Sequence, residues 1–171
     1  YNYHSDINKS ELSLIEVRSH IWRDVIFVNP DGRAKPFEEV HKHLLDRWSS
    51  FNQSMYSDMS DSSFNLEVKT NWKLAVENYL ESYHLPWIHP GLISYSKLED
   101  HENIVKYGHY SGQISNKYIP KYSTGKQFQN FKNLSPEWDS KGEYIVLFPN
   151  LILGVQKDHV FNLIIEPIGC D

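Results

Sequence analysis

The segment Asn71–Gly91 constrains this chain most, because it joins a helical pattern to side chains that can bind a metal. Four of its side chains recur every three or four residues and so share one face of a helix: Leu74, Asn78, Glu81 and His84. Asn71 stands just before this pattern. We predict that it caps the helix, because its side chain can accept a hydrogen bond from a free N–H of the first turn.

Pro86 is predicted to end this helix, because proline lacks a backbone N–H and disfavours the helical conformation of Leu85 before it. On a continuous helix His84 and His89 would point in different directions, since they are five residues apart. A turn at Pro86 can bring His89 back toward His84. Two neutral imidazoles beside carboxylates suit a first-row metal, and two histidines with one carboxylate form the facial arrangement of non-haem iron(II) oxygenases.

The histidine spacing alone does not establish a metal site, because the chain has nine histidines and such pairs arise by chance. The competing interpretation is a buried helix whose polar side chains are hydrogen-bonded to one another. Glu81 favours the metal. A carboxylate one turn before His84 can accept a hydrogen bond from the second ring nitrogen of His84, as the partners of metal-ligating histidines do.

These residues also carry a family resemblance. The segment Asn71–His84, continuing through His89–Leu92, resembles the iron-site signature of the Rieske-type non-haem iron oxygenases. This family comprises the large (alpha) subunits of ring-hydroxylating oxygenases and their monooxygenase relatives, including the choline and betaine types. Trp22–Asn29 resembles the stretch where the family's chain leaves its Rieske domain, and Glu143–Asn150 resembles a strand of its catalytic domain.

The resemblance implies roles for four residues of the segment. It implies that His84 and His89 are ligands of a mononuclear iron. It implies that Glu81 is the acidic residue that links the iron site to the Rieske cluster of a neighbouring subunit. Asn78 matches an amide near the vacant side of the iron, so the resemblance places Glu81 and Asn78 among the catalytic residues.

Two departures from the family pattern are large. The Rieske cluster needs two cysteines and two histidines, and this chain contains only Cys170. The family's third iron ligand is an aspartate on a helix beyond the strand that ends near Pro167, so we expect that ligand beyond residue 171. We therefore interpret residues 1–30 as the tail of a Rieske domain with its connecting strands, and residues 31–171 as a partial catalytic domain of a longer protein.

The resemblance implies O2-dependent hydroxylation or oxidative dealkylation of a small organic substrate at the iron(II). Electrons would come from a Rieske [2Fe-2S] centre outside this chain, supplied by NAD(P)H through a reductase, with or without a ferredoxin. A homotrimer or a multiple of it is implied, because the electron path crosses a subunit boundary. The substrate stays open between aromatic rings and quaternary ammonium compounds. The eleven tyrosines and five tryptophans suit a flat or cationic ligand.

Two other functions are compatible with the same residues. The first is a helix-grip module that binds a small ligand without redox chemistry and needs no iron. The second is a zinc hydrolase that uses His84, His89 and Glu81. Glu81 is poorly placed as a general base if it is already the hydrogen-bond partner of His84. Metal analysis separates these alternatives from an oxygenase.

Charge and composition exclude several other classes. The formal net charge is −5, so the chain has no basic surface signal for nucleic acid. No apolar run approaches the ~20 residues of a membrane span. A single cysteine excludes a disulfide within the chain and fits a reducing compartment, so we expect a cytoplasmic protein.

The pattern along the chain predicts an α+β fold with an antiparallel sheet packed against helices. The predicted strands are Leu12–Arg18, Trp22–Val28, Phe64–Val68, Ile104–Gln113, Tyr144–Phe148, Leu151–Gln156 and Val160–Glu166, the last three forming a meander. An amphipathic helix is predicted over Pro36–Trp48. Tyr118–Ser140 is predicted to be a loop, either solvated or partly roofing a pocket. The resemblance implies the helix-grip (Bet v 1-like, START-like) catalytic domain, incomplete here without its long C-terminal helix.

Overall fold

The computed structural model describes residues 12–55, 63–94, 96–106, 109–119 and 128–169. The chain divides into two compact units, Tyr1–Asp46 and Arg47–Asp171. No helix in these described stretches combines the length and the apolar character that crossing a bilayer requires.

The first unit contains a two-stranded antiparallel hairpin, β1 (Arg18–Trp22) and β2 (Val25–Asn29). Its turn consists of Arg23 and Asp24, both with positive φ. The strand predicted over Trp22–Val28 is therefore wrong in its bounds, because the chain reverses direction inside it. A two-residue hairpin turn needs positive φ, and glycine or asparagine usually signals it. Here neither is present, so the pattern did not reveal the turn.

The predicted strand Leu12–Arg18 is also wrong, because β1 begins only at Arg18. Leu14 and Ile15 are 98% and 88% exposed, and no described strand pairs with this stretch. The predicted helix Pro36–Trp48 consists of two short helices, α1 (Phe37–Val40) and α2 (Lys42–Arg47). The break lies at His41, whose φ of −104° and ψ of 12° depart from helical values.

Aromatic rings form the packing centre of the first unit. The ring of Phe37 on α1 stacks on the ring of His20 on β1, with centroids 4.3 Å apart. It also lies 4.6 Å from the ring of Phe27 on β2. Such ring pairs contribute beyond the apolar area that they bury, so Phe37 holds α1 against the hairpin.

The second unit is built on a five-stranded antiparallel sheet in sequential order. Its strands are β3 (His101–Lys106), β4 (Tyr110–Ser115), β5 (Gly142–Leu147), β6 (Leu151–Val155) and β7 (Val160–Ile164). The predicted meander is confirmed, as is the α+β class. The strand predicted over Ile104–Gln113 is instead parts of β3 and β4, which pair with each other as a hairpin.

The two faces of this sheet carry different partners. Tyr144 points to the face that receives α3 (Trp72–Leu80), and the rings of Tyr79 and Tyr144 meet edge to face at 6.4 Å. Glu143 points to the opposite face, where its carboxylate meets the indole of Trp48. Every residue of β6 is buried. A strand that is covered on both faces has a continuous run of apolar residues in its sequence and no alternation of apolar with polar residues.

Position 154 on β6 requires glycine, because the ring of Phe161 lies close to its backbone on the face of the sheet that α3 covers. A Cβ at this position would lie 2.3 Å from the ring of Phe161 on β7. Any larger residue would push that ring away from β6, so glycine allows the aromatic side chain to lie flat across the strand.

After α3 come two single-turn helices, α4 (Leu85–Ile88) and α5 (Pro90–Ile93). The strand predicted over Phe64–Val68 is not present, and the side chains of Phe64 and Leu66 are 74% and 76% exposed. Apolar and polar residues do alternate here, but no strand of the described chain supplies hydrogen-bond partners for the backbone of this stretch.

The predicted loop Tyr118–Ser140 falls partly outside the described residues, which omit 120–127. Its end forms a 3-10 turn at Pro136–Ser140, with Trp138 buried. The ring of Trp138 meets that of Phe51 edge to face at 4.6 Å. This part of the segment therefore contributes to the core rather than forming a solvated loop.

Candidate metal centre

Helix α3 is positioned by contacts at both ends. Oδ1 of Asn71 accepts a hydrogen bond from the backbone N–H of Lys73 at 3.0 Å, which confirms the predicted N-cap. Near the other end, the hydroxyl of Tyr79 donates to the carbonyl of Leu153 on β6 at 3.0 Å. Burial raises the pKa of Tyr79, so this hydroxyl stays a donor at physiological pH. Helix α3 is thereby anchored to the sheet.

Helix α3 ends at Leu80, earlier than predicted. Glu81 adopts an extended conformation with φ −113° and ψ 157°. The prediction that Pro86 ends the helix is wrong, because Pro86 lies in the first turn of α4. Proline is well tolerated there, since the N–H that it lacks has no partner within the helix.

The break after Leu80 is supported by Gln113 on β4. Its Nε2 donates to the carbonyl of Tyr79 at 3.1 Å and to the carbonyl of Glu81 at 3.3 Å. The last carbonyls of a helix have no partners within the helix and need donors from elsewhere. The side chain of Gln113 supplies such a donor where α3 stops.

Glu81 contacts His84 in two places. Its Oε1 meets Nδ1 of the ring, and its Oε2 accepts the backbone N–H of His84 at 3.2 Å. A carboxylate oxygen accepts hydrogen bonds, so Nδ1 of His84 is the donor in this contact. This contact leaves Nε2 as the ring nitrogen available to a metal, which binds the neutral form of histidine.

Asn78 lies on the same side of α3. Its Nδ2 is 3.5 Å from Nδ1 of His84, and because both nitrogens carry hydrogen in this arrangement the two are neighbours without a hydrogen bond. The side chain of Asn78 is exposed, whereas that of His84 is 15% exposed. Asn78 and Glu81 therefore both stand next to the same imidazole, and Glu81 makes the closer contact.

The structure brings His84 and His89 together. Their ring centroids are 5.3 Å apart, and the rings are inclined by 74°. Helix α4 makes this possible, because its single turn starts after His84 and ends before His89. Imidazole nitrogens bind first-row metals at about 2.0–2.1 Å, so two rings that share one ion have centroids about 4.5–5.5 Å apart. The observed centroid separation lies within this range.

The described residues supply only part of a ligand set. Across them, no group of three or more His, Cys, Asp or Glu side chains is arranged to hold a metal. Asp100 pairs with Lys117 at 2.6 Å, and Asp158 pairs with His159 at 2.8 Å in the turn after β6. Asp171 and Cys170 lie outside the described residues.

Two groups near the site were missed by the sequence analysis. The first is Gln113, whose only sequence signal is an amide within a predicted strand. The second lies beyond α5, where the buried hydroxyl of Ser96 contacts Oγ of Ser115 at 2.5 Å and Nε2 of His101 at 2.8 Å. Burial lowers the pKa of His101, against the opposing effect of Asp100. This polar contact holds the end of the histidine-bearing segment to the β3–β4 hairpin.

A protein-family model matches most of the chain. Residues 45–171 match the family model of the ring-hydroxylating alpha subunit, catalytic domain. The chain belongs to this family, so the resemblance to the Rieske-type oxygenase alpha subunits is confirmed.

Two curated relatives are similar over part of the chain. The carnitine monooxygenase oxygenase subunit of Acinetobacter pittii (strain PHEA-2) is 29% identical over 109 residues, covering 62% of this chain and 27% of the relative. The corresponding subunit of Acinetobacter baumannii is 26% identical over 106 residues, again covering 62% and 27%. The chain thus matches only about a quarter of the length of these relatives.

A solved structure shares the fold. The crystal structure of the quaternary ammonium Rieske monooxygenase CntA, in complex with an inhibitor, matches with a TM-score of 0.64 and 17% identity. The match covers 91% of this chain and 39% of that one. At this identity the similarity shows the fold alone, which is the mixed helix and antiparallel-sheet fold of a Rieske oxygenase catalytic domain.

Proposed function

We propose that this chain forms part of the catalytic domain of a Rieske oxygenase in which His84 and His89 are two ligands of a mononuclear iron(II). The observation that carries the proposal is the 5.3 Å separation of the two rings, with Glu81 on the Nδ1 side of His84. The third ligand would come from outside the described residues. When bound, the iron and a Rieske [2Fe-2S] centre supply oxygen activation and electrons for hydroxylation or oxidative dealkylation of a small organic substrate.

In this proposal Glu81 sets the state of His84. Its carboxylate holds the proton on Nδ1, which directs the lone pair of Nε2 toward the metal. The second contact, from the backbone N–H of His84 to Oε2, fixes the Glu81 carboxylate against the backbone of His84, so that Oε1 is held beside the ring. We further propose that Glu81 passes electrons on by linking His84 to a cluster ligand of a neighbouring subunit. This role implies a homotrimer or a multiple of it.

Asn78 is proposed to act at the open side of the site. Its amide is exposed and adjacent to His84, so it can donate to or accept from a substrate or a water molecule. An amide stays neutral at every pH at which the protein is folded. Asn78 would therefore orient a reactant without changing the charge of the site.

For the substrate we propose a quaternary ammonium compound. The support comes from the sequence similarity to the carnitine monooxygenase subunits and from the fold shared with the quaternary ammonium monooxygenase. Two exposed aromatic side chains, Tyr83 and Trp87, flank His84 in the sequence. Aromatic faces attract a trimethylammonium group through cation–π interactions. A sharp test compares a trimethylammonium substrate with its neutral tert-butyl analogue, which has the same shape but no charge.

The decisive experiment uses the full-length protein with an NAD(P)H-dependent reductase, with and without a ferredoxin. Oxygen consumption that depends on substrate and on bound iron supports the oxygenase. Equal ligand affinity with and without iron, and no product in either case, would contradict it and favour a binding module. Activity that zinc restores and iron(II) does not would favour a hydrolase.

We also propose that the protein is cytoplasmic and that the boundary between the Rieske and catalytic domains lies near residue 30.

A further inference from the structure

We propose that Gln113 on β4 is a positioning residue for His84: its amide fixes the backbone of Glu81, and Glu81 in turn fixes the imidazole. This inference rests on the proposed function, since it concerns the histidine that we assign to the metal. It adds a residue from the sheet, 29 positions after His84 in the chain, to the set that determines the geometry of the site.

The orientation of the amide follows from its two acceptors. Nε2 of Gln113 lies 3.1 Å from the carbonyl oxygen of Tyr79 and 3.3 Å from that of Glu81. The reversed orientation would set Oε1 against two carbonyl oxygens, and three acceptors cannot bond one another. The donor end of Gln113 therefore faces the end of α3.

The carbonyl oxygen of the Gln113 side chain is left unpaired when the amide nitrogen faces the end of α3. Oε1 of Gln113 is buried and has no hydrogen-bond partner among the described residues. Buried polar atoms are nearly always paired, so an unpaired one needs a compensating reason. Here the reason is the double contact of Nε2, which can be made only if Oε1 points away from the helix end.

The two carbonyls matter because the local sequence favours a longer helix. In a continuous helix the backbone N–H of His84 would bond to the carbonyl of Leu80, four residues earlier. It would then leave Oε2 of Glu81, which it contacts at 3.2 Å. By occupying the carbonyls of Tyr79 and Glu81, Gln113 stabilises the break at Leu80 and with it the double contact between Glu81 and His84.

A second anchor of α3 provides a matched control. The hydroxyl of Tyr79 bonds to Leu153 on β6 and does not touch Glu81 or His84 in the described contacts. Tyr79→Phe removes one hydrogen bond between α3 and the sheet but keeps both bonds from Gln113. Gln113→Met keeps the length and approximate shape of the side chain but removes both donors.

The test is nitrogen-15 NMR of the full chain without metal and with labelled histidine, in which His84→Gln assigns the ring signals. We expect the Nδ1–H pattern of His84 in the parent protein and in Tyr79→Phe. In Gln113→Met the signals should shift toward the Nε2–H pattern. Gln113→Asn, whose amide is one methylene too short to reach both carbonyls, should shift them in the same direction. Thermal unfolding of each variant identifies any that fails to fold.

Two results would overturn the proposal. One is an unchanged His84 ring in a folded Gln113→Met or Gln113→Asn protein. The other is an equal shift in Tyr79→Phe, which would show that any loosening of α3 has the same effect. Because the measurement needs no metal, it separates this inference from the proposed function. A protein that shows the expected shifts but binds no iron would retain Gln113 as a positioning residue and would reject the oxygenase.

Discussion

Arg47 and Glu143 form a two-point ion pair across 96 positions of the chain. Nε of Arg47 lies 2.7 Å from Oε2 of Glu143, and Nη2 lies 2.9 Å from Oε1. The indole N–H of Trp48 donates to Oε2 at 2.8 Å, and Nζ of Lys141 is 3.0 Å from Oε1. The Glu143 side chain is 1% exposed. A carboxylate buried to this extent is stable only because several donors satisfy it.

Replacing Glu143 by glutamine should destabilise the chain. The variant leaves the guanidinium of Arg47 without its buried counter-charge, and breaking such a pair costs about 3–5 kcal/mol. Because the Arg47 side chain keeps 26% exposure, we expect the lower end, about 3 kcal/mol. Urea unfolding measures the difference. The control is Glu137→Gln, whose side chain is 62% exposed and should change stability by less than about 0.5 kcal/mol.

The same carboxylate should make stability depend on pH in acid. Burial alone would raise the pKa of Glu143, but hydrogen bonds from Arg47 and Trp48 outweigh it and hold the pKa below its usual value. A group with a lowered pKa in the folded state stabilises the protein above its unfolded pKa, about 4.3 for glutamate. That contribution is lost as the pH falls through the folded value. The measurement is the free energy of unfolding from about pH 6 downward, a range that includes the glutamate pKa. As the pH falls, this free energy should decrease less steeply in Glu143→Gln than in the parent chain. Parallel curves would show that Glu143 does not cause the loss.

The two histidines should be needed for mononuclear iron. In the full-length protein, His84→Ala or His89→Ala should remove this iron and keep the absorption of the Rieske cluster, because each change deletes one ligand of the proposed site. Iron analysis with the visible spectrum tests this. His159→Ala is the control, since that ring pairs with Asp158 in the turn after β6. Normal mononuclear iron in both site variants would end the assignment.

Glu81→Gln should separate binding from electron transfer. The amide keeps one hydrogen-bonding oxygen near His84 but loses the charge that favours a protonated Nδ1. Partners of metal ligands typically contribute 10–100-fold to affinity or activity, and we expect iron to remain while product yield in a single turnover falls about tenfold. The experiment starts from pre-reduced protein and quantifies product. An unchanged yield would reduce Glu81 to a structural role.

Residues 1–171 alone should bind iron(II) weakly and show no oxygenation. Two imidazoles leave the site short of an anionic ligand, and the described residues hold no third one in place. Titration of this chain against a protein extended at both ends measures the difference. Tight, stoichiometric iron in the short chain would show that an aspartate within it, such as Asp100, Asp158 or Asp171, completes the site.

The sequence was most informative where the pattern was local. Asn71 was correctly predicted to cap α3, and the meander from β5 to β7 followed from three short apolar runs separated by turn residues. The family could be identified from Asn71–His84, because the residues that carry its signature follow one another in a single segment. Each of these features depends on residues close together in the chain.

Tertiary contacts decided the rest. The sequence alone determined which side chains could form the site, from Asn78 to His89, and that the fold combines helices with an antiparallel sheet. Only the folded structure showed that α3 stops at Leu80, where Gln113 on a later strand donates to the carbonyl of Tyr79. It also decided that the exposed stretch at Phe64–Val68 is no strand. Helical and strand patterns specify what a segment can form, and hydrogen-bond partners distant in sequence determine where it ends.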